Sequence, residues 1–136
     1  IADARTAIAQ AYDVLAAKGS DGLHADPTRS FYVGASKILH WLNPNLFLII
    51  DSHIATAFHH HPDPNARITL LKARTPCYSA EAYLQCLSCA QREIRTYGVD
   101  RLRREGNGLP LANLYGNVAF QRALGSSQQR TVKETE

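Results

Sequence analysis

The sequence predicts an all-α fold, a compact helical domain of five to seven helices around a central helical hairpin. Four segments carry apolar residues at helical spacing, and alternating apolar patterns of the kind a half-buried strand needs are scarce. Glycine, proline and asparagine fall between those segments, where helices must stop. With 136 residues, 45% of them hydrophobic and 20% charged, the chain fits one domain with a substantial core.

The first helix is expected over Ile1–Lys18, where Ile1, Ala4, Ile8, Ala11, Tyr12 and Leu15 share a stripe and Gly19 is the stop. Ser20–Arg29, with Gly22 and Pro27, reads as a loop. A second helix is expected over Val33–Leu42, broken at Asn43-Pro44. Leu46–Ile50 is an apolar crossing, and Asp51-Ser52 then opens a helix to about His60, with Asp51 accepting from the backbone N–H of Ile54 or Ala55. His61-Pro62-Asp63-Pro64 is a loop. Asn65 is expected to cap a short helix to Lys72, which Thr75-Pro76 breaks. Ser79 caps the longest helix, Ala80–Tyr97, with Ala82, Tyr83, Cys86, Leu87, Ala90, Ile94 and Tyr97 on its apolar stripe and Gly98 closing it. A further turn or two follows over Val99–Arg104. After Gly106-Asn107-Gly108, Pro110 begins a last helix to about Leu124. The domain is therefore placed at residues 1–124, with a polar, disordered tail at 125–136. The chain opens at Ile1 inside a helical pattern and contains no Met, which suggests a partial chain.

No apolar run approaches the length of a membrane span, and no basic segment precedes an apolar stretch at the start, so a cytoplasmic protein without membrane contact is expected. The odd cysteine count, Cys77, Cys86 and Cys89, does not read as a disulfide framework. Cys86 and Cys89 have redox or zinc spacing but lie inside a helix with no second pair. They read as buried, reduced, metal-free thiols. A formal charge of +3 permits nucleic-acid contact without demanding it.

Residues 33–58 carry the most chemistry. Lys37, His40 and Trp41 fall at i, i+3 and i+4 on one helical face, and Asp51 opens the next helix within reach of it. Val33-Gly34, Lys37, the apolar crossing and Asp51-Ser52-His53-Ile54 together resemble the helix-hairpin-helix DNA glycosylase superfamily. Tyr32 stands where that family has its first glycine, and two residues rather than one separate Gly34 from Lys37. The resemblance implies that Gly34 is the hairpin glycine offering backbone amides to phosphate, Lys37 the nucleophile and Asp51 the catalytic carboxylate. It makes His53 the histidine of the family's tripeptide, beside DNA. The activity implied is glycosylase- or lyase-like, with duplex DNA as partner and no cofactor. The pattern Ala35-Ser36-Lys37 to Leu39-His40-Trp41, Asn43-Pro44 and Phe47, then Asp51, is also similar to a group of bacterial proteins that imply no activity.

Arg92, Arg95, Arg101, Arg103 and Arg104 form the densest basic run. Arg101, Arg103 and Arg104 are read as phosphate contacts, against a solvated helix face paired with Glu93, Asp100 and Glu105. Two other readings stand beside DNA binding. One is a helical interaction or structural domain without catalysis, with Lys37 and Asp51 serving as surface charge and helix cap. The other is a metal-dependent enzyme using His59, His60 and His61 with His53 and Asp63, although a solvated histidine cluster with no metal site is the expectation.

Overall fold

The computed structural model describes residues 4–20, 31–71 and 79–121, with the backbone alone at 18–20. The expected loop at 21–30, the Thr75-Pro76 break, Cys77 and the polar tail lie outside the described residues. Within them the fold is all-α, and no strand occurs. The elements are α1 (Arg5–Ser20), α2 (Tyr32–Leu42), α3 (Ser52–His59), a 3-10 turn (Pro64–Ala66), α4 (Ala80–Tyr97), α5 (Val99–Glu105) and α6, helical over 111–121. No helix among the described residues is long and apolar enough to cross a membrane.

Helix α4 runs through the centre and α1 packs against both it and α2. Ile8, Tyr12 and Ala16, four residues apart, bury one face of α1. The Tyr12 ring stacks on Tyr83 at 4.2 Å and on Tyr32 at 5.4 Å, pinning three helices together. Ser79 caps α4 through a bond from the Ala82 N–H, and Gly98 ends it at φ 101°, a conformation that costs glycine little. Both boundaries fall where the sequence places them.

Helices α2 and α3 are joined by residues 43–51, a non-helical crossing whose second half turns inward. Leu48 and Ile50 are 2% and 0% exposed, so the backbone polar groups around them need partners within the protein. Three side chains supply them. Ser36 Oγ accepts the Ile50 N–H (3.2 Å) and donates to the Val33 carbonyl (2.8 Å). Tyr83 OH donates to the Leu48 carbonyl (3.0 Å), and His40 Nδ1 donates to the Phe47 carbonyl (2.7 Å). Helix α6 closes on the crossing through the Ala112 N–H to Pro44 O (3.2 Å) and the Leu111 N–H to Asn45 Oδ1 (3.2 Å).

Asp51 caps α3. Its Oδ1 accepts from the N–H groups of His53 (3.0 Å) and Ile54 (2.9 Å). Asp51→Ala is expected to cost about 0.5–2 kcal/mol, and Asp51→Asn far less, since either Asp or Asn can accept those bonds. Denaturant midpoints check this; equal losses in both variants would show that the carboxylate charge, not the cap, matters.

Several boundaries differ from expectation. Helix α1 continues through Gly19 to Ser20. The helix expected over 65–72 is only the 3-10 turn Pro64–Ala66, because Asp63, not Asn65, is its cap and accepts the Asn65 N–H. Arg67 is then extended, with Nε bonded to the His61 carbonyl (2.9 Å). Pro110 precedes α6 and its carbonyl takes the Leu114 N–H. Tyr97, expected on the apolar stripe, is 45% exposed because α4 outruns the core at its C-terminal end.

Candidate functional site

Helix α2 ends in an exposed face. Lys37 is exposed, Trp41 one turn later is 90% exposed, and Ile38 and Leu42 flank them in solvent. They border a groove of about 640 Å³ lined by Lys37, His40, Trp41, Pro44, Pro110 and Asn113 among others. His40 is committed to the crossing through Nδ1, so on this face it serves the fold and orients α2.

The residues named by the resemblance lie on α2 and at the start of α3. Gly34 lies in the first turn of α2, not in a turn before it, and the Phe31 ring occupies the space a Cβ would need. Asp51 holds its capping position, and among the described residues no ion pair joins it to Lys37. His53 is exposed, its ring 5.5 Å from that of Phe120 on α6.

The arginines of α5 are exposed. Arg101 Nε donates to Glu105 Oε1 (2.9 Å), and its guanidinium lies 4.5 Å from the centre of the Tyr97 ring. Tyr97 OH donates to Glu105 Oε2. That bond, reinforced by Arg101, holds the Glu105 carboxyl below the ordinary range and raises the Tyr97 phenol above its own. Arg101 is thus part of a surface triad, while Arg103 and Arg104 project into solvent. A lowered folded-state carboxyl pKa favours the folded contact above the ordinary glutamate value of 4.5, an advantage lost as pH falls through the lower value. A raised phenol likewise favours the contact below 10.0, until pH passes the higher value. An NMR titration of Glu105 is therefore expected to show a midpoint below 4.5 that returns toward it in Tyr97→Phe.

A second constellation joins residues that the sequence presents separately. His61, 5% exposed, follows α3; Cys89 and Glu93 lie four residues apart on one face of α4; Tyr115 comes from α6. The Asp63 N–H donates to His61 Nδ1 (3.1 Å) in the tautomer that carries its proton on Nε2, and the Asp63 carbonyl lies 3.3 Å from the same nitrogen. Nε2 then donates to Glu93 Oε1 (2.5 Å), while Glu93 Oε2 accepts from Tyr115 OH (2.6 Å). Cys89 Sγ lies 3.9 Å from the Ala66 carbonyl and 3.9 Å from Arg92 Nη2. Glu93, expected to partner arginines, is instead the acceptor of this inner network. A groove of about 710 Å³ passes Glu93 and Tyr115, with Arg92, Tyr97 and Arg101 on its walls.

Cys86 and Cys89 are buried, as expected from the stripe of α4, and no disulfide joins them. Among the described residues, His53, His59, His60, His61 and Asp63 do not converge as a ligand set; His61 alone of them joins Cys89 and Glu93. The sequence signal for that meeting was the Cys89/Glu93 spacing of one helical turn, which marks a shared face but names no third partner.

These observations define an all-α domain with a buttressed crossing between α2 and α3, a cationic–aromatic outer face and a His–Glu–Tyr network. Comparison of the chain with protein-family profiles, curated proteins and solved structures finds no match.

Proposed function

We propose that the domain is a DNA-binding module of the helix-hairpin-helix kind, gripping DNA with the outer face of α2. The observation that carries this reading is Trp41, 90% exposed and one turn after an exposed lysine at the rim of a groove. A bare indole in water is a poor contribution to folding but an effective surface for stacking on an unpaired or displaced base. A neighbouring ammonium supplies the phosphate contact, and the exposed Arg103 and Arg104 of α5 add positive charge to the domain surface. The resemblance of residues 33–58 supports the same assignment.

Trp41 is the single tryptophan of the chain, so its fluorescence reports on this face alone. Duplex DNA with one unpaired base is expected to quench it. Trp41→Ala should weaken binding by about 5–150-fold, the equivalent of roughly 1–3 kcal/mol of stacking. Lys37→Ala should weaken binding to all sequences and lower the salt slope by about one. The Arg101, Arg103, Arg104 triple alanine variant should act in the same sequence-independent way.

Schiff-base chemistry is not expected. An amine becomes nucleophilic through desolvation or an adjacent base, whereas Lys37 is exposed and not ion-paired with Asp51. Borohydride trapping on abasic DNA checks this; an adduct lost in Lys37→Ala would instead make the domain a lyase. The apolar exposure of Leu42 beside Trp41 favours one alternative, docking of a partner protein on the same face. Absence of DNA binding even at low salt would put that reading in front.

A further inference from the structure

We propose that His61, Cys89 and Glu93 form a zinc site with three protein ligands, independent of the DNA-binding face. Their donor atoms, one each of nitrogen, sulfur and oxygen, all lie within 4.8 Å of one another. Zinc–ligand bonds of about 2.0–2.3 Å in a tetrahedron separate donors by about 3.3–3.8 Å. The cluster therefore needs to contract by about an ångström at its widest, while the His61–Glu93 pair, 2.5 Å apart, opens as the metal replaces the shared proton.

The supporting groups match what zinc requires. Tyr115 OH donates to Glu93 Oε2 at 2.6 Å and so holds Oε1 toward the histidine, the outer-sphere support that fixes a ligating carboxylate. The Arg92 guanidinium, 3.9 Å from Cys89 Sγ, places a positive charge beside the sulfur that would bind metal as the thiolate. Nδ1 of His61 has the Asp63 carbonyl at 3.3 Å as well as the Asp63 N–H. It can take up the ring proton and donate it to that carbonyl, freeing the Nε2 lone pair. The proton balance is then simple: the imidazole changes tautomer and stays neutral, Glu93 binds as the carboxylate, and Cys89 gives up its thiol proton. One proton is released per zinc. Glu93 and Tyr115 also line the 710 Å³ groove, so the fourth position faces that groove and takes water or an anionic ligand. Three protein ligands with an open fourth position is the arrangement of catalytic zinc centres.

The test uses the full chain, stripped with a chelator and titrated with Co²⁺. The expected spectrum has visible d–d bands and a near-ultraviolet thiolate-to-cobalt charge-transfer band, saturating at about one equivalent, with both lost on adding Zn²⁺. Cys89→Ser should abolish the charge-transfer band and Cys86→Ser should retain it. Tyr115→Phe should weaken binding about 10–100-fold. Bands without charge transfer would mean that His59 and His60 bind metal at the surface, and would overturn the proposal. So would a charge-transfer band that survives Cys89→Ser. Should Cys89→Ser fail to fold, X-ray absorption of the zinc-loaded wild type decides. A sulfur scatterer near about 2.3 Å together with protection of Cys89 from alkylation upholds the site, and a shell of nitrogen and oxygen alone refutes it.

Discussion

Tyr83→Ala is expected to cost about 3–5 kcal/mol, a large part of the stability of a domain this size. Tyr83 is fully buried in the first turn of α4. Its ring stacks almost parallel on Tyr12, and its hydroxyl donates to the Leu48 carbonyl in the crossing. Truncation therefore opens a cavity between α1 and α4 and removes the acceptor's partner in the same step. Tyr83→Phe separates the two effects. It keeps the packing and costs about 1–3 kcal/mol for a buried carbonyl that loses its donor. Denaturant unfolding of both variants measures the difference. A neutral Tyr83→Phe would show that the crossing does not depend on that bond.

Glu93→Ala, measured on chelator-stripped protein, is the second large loss, at about 3–5 kcal/mol. Glu93 accepts from both His61 and Tyr115, each nearly buried, so its removal deletes two hydrogen bonds to a charged acceptor at once. The bonds link the segment after α3 to α4 and α6. Glu93→Gln should cost less, because one carboxamide oxygen still accepts. A double-mutant cycle of Glu93→Ala with Tyr115→Phe should give a coupling of about 0.5–3 kcal/mol. Additive losses would show that the two side chains act separately and that the network is no unit. Because the measurement is made without metal, its outcome is independent of the zinc titration.

Both variants bear on the candidate sites differently. Tyr83 supports the crossing that sets the angle between α2 and α3, so its loss should disturb the Trp41 face through the fold. Glu93 borders the larger groove and bonds to His61 and Tyr115, neither of which belongs to that crossing. Trp41 fluorescence in Glu93→Ala, compared below the unfolding transition, should stay close to wild type.

The helices themselves were legible from the chain. Ser79 and Gly98 mark the ends of α4, Asp51 marks the start of α3, and Asn43-Pro44 marks the end of α2. These are local devices: a side-chain oxygen meeting an N–H two or three residues on, a glycine at positive φ, a proline without an N–H. Neighbouring residues suffice to produce them, so spacing alone reveals them. The same holds for the buried stripe of α4 that takes in Cys86 and Cys89. Roles that depend on a distant partner were hidden. His40 shares a helical face with Lys37 and Trp41, yet its imidazole bonds to the Phe47 carbonyl, because a buried crossing must find donors for its backbone oxygens. Glu93 stands in an arginine-rich run, yet it turns inward to His61 and Tyr115, 32 and 22 residues away along the chain. Helical periodicity reports which face a residue occupies but not what the fold brings against that face. The meeting of His61, Cys89 and Glu93 was decided only when the segment after α3 came against α4.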